Sequence, residues 1–301
     1  DALALSHQAY DRWQEAISLR RLAAVYNYQL RYAEALTLTE EVLKLHQALG
    51  DRTSESFALG NLGEILSHLR RPQEAERRLR QALDVAETIG TAMAINTAVT
   101  QLISFHYLPQ ARYEAGLAFL DEQMKRAALR NNDMLRLMCL NYQGLLLILM
   151  GAFADALDAN ERKLQLVHDL YPRLFQIQYL ARLVFIRGEM GELAQARAAA
   201  AQMNALLAEG DPPDIRGSLH AVLARLGWRA GDLAALPAAL ADAQAATTLL
   251  PAGVDNLDYL IATHAAAEIH LLAGRLDEAW RTAQQALTIL EQAPSLVCLE
   301  E

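Results

Sequence analysis

In residues 52–90 the apolar side chains Phe57, Leu59, Leu62, Ile65, Leu66 and Leu69 recur at helical spacing. Arg71-Pro72 interrupts this stripe. Proline is tolerated in the first turn of a helix, where its missing N–H has no partner to lose. A second stripe, Ala75, Leu79, Ala82, Leu83 and Val85-Ala86, runs on to Gly90, a residue type that commonly ends helices. The segment therefore predicts a hairpin of two helices, A then B. Gly63 on helix A stands twelve residues before Ala75 on helix B, and small residues at both sites let the helices approach closely.

The same pattern recurs along the chain. Its clearest other copy is "GRLDEAWRTAQQALTIL" from Gly274, and weaker copies begin at Gly231, Gly191, Gly151, Ala111 and Arg31. The small residue of the "EA" pair is Ala35, Ala75, Ala115, Ala156, Ala196 and Ala279, with Leu236 as the exception. The spacing is 40 or 41 residues, and 43 before the last. A fixed period of this size marks a repeat array. The small pair recurs as Ala23 with Ala35, Gly144 with Ala156 and Ala267 with Ala279, while Ile103 and Val184 depart from it. Pro237 directly follows Leu236, so helix B of the sixth copy should start late. The predicted hairpins span 12–50, 51–90, 91–130, 131–171, 172–210, 211–251 and 252–293, with a half repeat at 1–11 and a tail at 294–301. The extra residues before the last hairpin fit a loop at 250–256. The expectation is a single all-α solenoid of about fifteen helices. The opening "DALALSHQAYD" reads as the end of an earlier repeat, so the chain is expected to be a fragment of a longer protein.

"NLGEILSHLRRPQEAERRLRQAL" and "GRLDEAWRTAQQALTIL" resemble the tetratricopeptide repeat, and the resemblance covers nearly the whole chain. It implies a right-handed superhelix in which A helices line a concave groove and B helices cover the outside. The long period is similar to that of the sensor arms of STAND signal-transduction ATPases, of the maltose-operon activator and of bacterial peptide-pheromone receptors. By that likeness the chain is expected to be the sensor, ligand-binding or protein-binding arm of a larger bacterial signalling protein. A STAND-type ATPase or a transcriptional regulator is the expected context, with further domains, an NTPase among them, on the N-terminal side. The alternative is a passive protein-interaction scaffold. Chaperone-binding members of the family clamp a terminal carboxylate with five residues. Of the matching positions here, Arg20, Ala24, Asn61, Thr97 and Gln101, only Arg20 and Asn61 suit that role.

Composition narrows the function. The chain is 53% hydrophobic, with 15 glycines and 8 prolines, which suits helices. A net charge of −9 argues against neutralising phosphates, so no nucleic-acid binding is expected of this region. The apolar run at 134–153 is interrupted by Asn141 and Gln143 and falls in register with the repeat. It predicts a buried helix, not a membrane span. Cys139 and Cys298 lie too far apart in an array to pair, which fits a reducing cytoplasm. There is no phosphate-binding loop, nucleophile elbow or zinc-protease helix, so neither catalysis nor a cofactor is expected. The arginines between Arg70 and Arg80 interleave with Glu74 and Glu76 and read as a solvated face.

By the family's pattern, helix A positions at set distances before the "EA" alanine face the groove. They place Tyr28, Glu64, His68, Tyr107, Asn141, Phe185, Glu189, Arg225, Trp228, Arg229, His264 and Glu268 as candidate contacts for a protein, a peptide or a small ligand. Arg225, Trp228 and Arg229 share one helix face. His264 and Glu268, four apart, could hold a divalent metal; the plainer reading is a groove-facing pair, and no metal site is expected. The competing account of this cluster is structural, with Trp228 filling a gap and the arginines stitching repeats through Glu189 and Glu268.

Overall fold

Every predicted A–B turn closes on a residue in the left-handed region: Leu30, Arg70, Ala111, Gly151, Gly191, Gly231 and Gly274, with φ between 51° and 79°. Each donates its N–H to the carbonyl three residues back. In six of the seven the next N–H reaches five back, as Arg71 does to Leu66 (2.9 Å). Two otherwise orphaned carbonyls are thereby satisfied. The computed structural model describes residues 2–167, 173–208, 210–250 and 257–292. These hold fourteen α-helices and no strand. The predicted loop at 250–256, all but its first residue, and the tail with Cys298 lie outside the described residues.

The chain divides into two compact units, Asp1–Cys139 and Leu140–Glu301. In the first, α1 (Ala2–Tyr28) pairs with α2 (Tyr32–Leu49), and α3 (Arg52–His68) with α4 (Pro72–Ile89). α5 (Ala92–Leu102) continues through a π turn, Ile103–Tyr107, and a 3-10 turn, Leu108–Gln110, before α6 (Tyr113–Leu129). The expected half repeat at 1–11 is not separate: α1 runs unbroken, with no glycine or proline to stop it.

α7 (Asp133–Leu149) spans the boundary between units, and α8 (Phe153–Val167) follows it. In the second unit α9 (Leu174–Glu189) pairs with α10 (Leu193–Leu206), α11 (Pro213–Arg229) with α12 (Leu236–Leu249), and α13 (Leu257–Leu272) with α14 (Leu276–Gln292). α12 begins at the slot residue itself, whereas α4 begins three residues before its own. This is the late start that Pro237 predicts. Neighbouring A helices also pack on one another, α9 on α11 and α11 on α13. Between α9 and α11, the α10 residues Ala196, Ala199, Ala200 and Met203 fill the core against Ile177, Val184, Val222 and Leu226. Burial between nearest neighbours holds such stacks together.

Two expectations about packing are corrected. In the third repeat the fully buried small residue is Gly116, not Ala115. A π turn carries one residue more than an α-helix over the same rise, so the slot moves by one. The left-handed Ala111 lies five before Gly116, as Arg70 lies five before Ala75. The close approach inferred at Gly144 is also absent, for a Cβ built there meets nothing within 4 Å. At Gly63 it would lie 2.4 Å from Leu79 Cγ, and at Gly227 2.5 Å from Ala239 Cβ.

Candidate ligand-binding site

The second unit contains a cavity of about 600 Å³. It is lined from α7 by Asn141 and Ile148, from α8 by Lys163, and from α9 by Ile177, Arg182, Phe185 and Glu189. α11 adds Ser218, Val222 and Arg225, and α13 adds Asp258, Ile261 and His264. The helical period brings these together, because residues three or four apart on one A helix share a face and successive A helices stack. The volume and the mix of apolar wall with a few polar groups are those of small-ligand sites.

One wall is an ion-pair network. Glu189 has only 4% of its side chain exposed. It accepts from Arg225 Nε (2.9 Å) and, at both oxygens, from Arg229. Burial alone would push its carboxyl up, but the bonds from Arg229 and Arg225 outweigh that and hold it below the ordinary value. Both guanidinium groups lie over the Trp228 ring, at 4.4 Å and 4.7 Å, within cation–π range. Arg225 Nη1 stands 2.7 Å from His264 Nδ1, and Trp228 meets His264 edge to face at 6.0 Å. His264 Nε2 lies 3.8 Å from Glu268. A guanidinium at the other imidazole nitrogen disfavours a divalent cation on that pair. Glu268 pairs with His264, whereas the structural account had it pairing with an arginine.

Of the predicted contacts, Asn141, Phe185, Glu189, Arg225 and His264 line the cavity; Trp228, Arg229 and Glu268 adjoin it through the network but do not line it. The other four belong to the first unit. Glu64 accepts from Asn27 (2.8 Å), His68 stacks on Tyr32 at 4.7 Å, and Tyr28 is 89% exposed at the end of α1. Tyr107 is corrected outright. It is 5% exposed, stacked on Phe119 at 5.4 Å, with its hydroxyl 3.5 Å from Arg80. The π turn moves it to nine residues before Gly116, the place that the core residue Leu66 holds before Ala75.

Lys163 and Arg182 escaped the sequence reading, although a signal was present. Lys163 lies seven residues after its slot alanine. The same place in the other six repeats holds Val42, Ala82, Gln123, Met203, Ala243 and Ala286, all buried. Arg182 lies fourteen before its slot, in a mixed column that holds the buried Leu102, Val222 and Ala265 but also the exposed Arg21 and the half-buried Asn61 and Tyr142. At Lys163 a cation in a core position of the repeat is a departure that one aligned column reveals. Cys139, in the first unit, is a buried free thiol. Burial first, and the charge of Asp121 second, push it up to about 12.

A family model of the tetratricopeptide repeat matches residues 14–88. No curated protein sequence matches the chain. Among solved structures, the quorum sensor NprR from B. thuringiensis in its apo form is 16% identical, with a TM-score of 0.67 over 96% of this chain and 83% of that one. The Rap conjugation gene regulator of plasmid pLS20, solved in complex with the Phr* peptide, is 12% identical, with a TM-score of 0.59 over 95% and 78%. A signal transduction ATPase with numerous domains from Pyrococcus horikoshii, which carries a tetratricopeptide repeat sensor, is 12% identical at a TM-score of 0.61. The likeness covers 92% of this chain and 42% of that one. At such identities the likeness is one of fold. The chain thus carries tetratricopeptide repeats over residues 14–88 and has the fold of tetratricopeptide-repeat arrays beyond them.

Proposed function

We propose that the chain is a sensor arm that takes a small ligand or a short peptide into the cavity of its second unit, as part of a larger bacterial signalling protein of the STAND type or a transcriptional regulator. The cavity itself is the observation that carries this reading: about 600 Å³ opening between four A helices, with an apolar wall and charged groups set into it. A ligand that touches α7, α9, α11 and α13 together favours one spacing of those helices over another, and a shift between two spacings is a signal that a neighbouring domain can read. The quorum sensor and the peptide-bound regulator of similar fold support a peptide or small-molecule ligand, and the ATPase with its repeat sensor supports the larger context. In this reading the arm binds without turnover, needs no cofactor and works in the cytoplasm.

Native mass spectrometry of the protein incubated with an extract of its own host tests the proposal. Wild-type protein should retain a small molecule or peptide that Ala181→Trp, which fills the cavity from α9, has lost while keeping its helical circular dichroism. Equal retention by both proteins, or retention by neither, leaves the scaffold reading in its place.

A further inference from the structure

We propose that the ligand ends in a carboxylate, and that this group seats between Lys163 and Arg182 with the apolar body of the ligand along Ile148, Phe185 and Val222. The inference rests on the cavity being a ligand site.

A departure from the repeat and an orphaned donor converge here. Lys163 is 6% exposed in a column of core residues, and Arg182, half-buried on the neighbouring helix, lines the same cavity. Neither is neutralised by the chain. Lys163 Nζ donates one hydrogen bond, 2.8 Å to Asn141 Oδ1, out of three that an ammonium offers. Arg182 Nη1 is buried with no hydrogen-bond partner. Among the described residues neither cation forms an ion pair. Of the carboxylates lining the cavity, Glu189 is engaged by Arg225 and Arg229 and Asp258 by Ser218. Buried donors without acceptors are costly, and charge-assisted bonds to an anion are the strongest replacement.

The local charge selects the anion. The field of Asp258 acts on Arg182, and Glu189 and Asp214 also line the cavity, so these surroundings favour an anion of low charge, a carboxylate over a dianion. Burial first, and Arg182 second, push Lys163 down to about 8. An anion beside it would reverse that shift.

The chain has only three lysines, Lys44, Lys125 and Lys163, so lysine labelled with carbon-13 at Cε gives three resolvable signals. Octanoate is the probe and 1-octanol its neutral counterpart. Octanoate should bind by calorimetry and move the Lys163 titration upward, with Lys44 and Lys125 unmoved, and octanol should leave all three in place. Arg182→Gln and Lys163→Met should each weaken octanoate by about tenfold or more and leave octanol unchanged. Lys163→Met restores the residue type of Met203 and guards against a variant that fails to fold. Equal affinity for octanoate and octanol overturns the carboxylate seat and leaves the cavity a ligand site. Tighter binding of octyl phosphate than of octanoate overturns the choice of anion. Binding of none of the probes overturns the seat together with the sensor reading on which it rests.

Discussion

Replacing Lys163 by methionine should make the folded protein more stable. The ordinary lysine value of 10.5 falls to about 8 in the folded protein, chiefly through burial. A difference of about 2.5 units, at 1.36 kcal/mol each, amounts to about 3 kcal/mol spent on keeping the buried ammonium charged at neutral pH. Methionine fits the column, since Met203 occupies the same place one repeat later and is fully buried. The variant loses the bond from Nζ to Asn141 Oδ1, which takes back about 1 kcal/mol. The net expectation is a gain of about 2 kcal/mol at pH 7, read from guanidinium unfolding followed by far-ultraviolet circular dichroism. The pH dependence carries its own sign. The unfolded chain binds the proton more tightly than the folded one, so the wild-type penalty is full below pH 8 and disappears as the pH rises through 10.5. The stability gap between variant and wild type should therefore close between those values. A variant less stable than wild type at pH 7, or a gap that ignores pH, refutes the placement of a charged lysine in the core.

The other expectations concern packing, acid and thiol chemistry. Gly63→Ala drives a Cβ into the buried Leu79 and should cost about 1–3 kcal/mol, while Gly144→Ala, whose Cβ meets nothing within 4 Å, should gain up to about 1 kcal/mol from helix propensity; chemical denaturation of the pair decides, and equal effects would sink the contrast. Glu189 titrates below its ordinary 4.5 in the folded protein, its bonds from Arg229 and Arg225 overcoming the opposing effect of burial. Its contribution to stability is present above that value and is lost as the pH falls through the folded one. The melting temperature of wild type should thus drop more steeply below pH 4.5 than that of Glu189→Gln, and parallel curves would remove the ion-pair account. Cys139, pushed up to about 12 and buried, should ignore a disulfide reagent at pH 8 until denaturant is added; fast labelling of the native protein at that residue would contradict its burial.

Much of this architecture is legible because helix packing imposes a local period on the sequence. The slots at Ala35, Ala75, Ala156 and Ala196 are fully buried, and the delayed α12 follows from one proline. The Arg225–Trp228–Arg229 face was also readable, since three residues at helical spacing must lie together. Its pairing with Glu189 depends on which A helices stack, and here only the family's pattern supplied the partner. The misplacement of Tyr107 has a different origin: hydrophobic periodicity does not distinguish an α turn from a π turn when both keep apolar residues inward. Lys163 was passed over because the groove was sought on helix A whereas it sits on helix B in a column reserved for packing, and Arg182 because its column mixes the buried Val222 and Ala265 with the exposed Arg21 and the half-buried Asn61 and Tyr142.

The π turn at Ile103–Tyr107 bears on how such a chain can change length. One residue inserted into a regular α-helix rotates everything after it by about 100°, because each residue turns the helix by that angle, and an array built on stacked faces would lose its register. Here α5 keeps its own buried stripe, Ala94, Ile95, Ala98 and Val99, before the widened turn, and α6 resumes with Gly116 and Leu120 buried after it. The added residue is absorbed within five positions and the two helices still close on a left-handed turn at Ala111. In this protein a one-residue difference in repeat length is therefore taken up inside a helix as well as in loops, with the packed stripes on both sides intact.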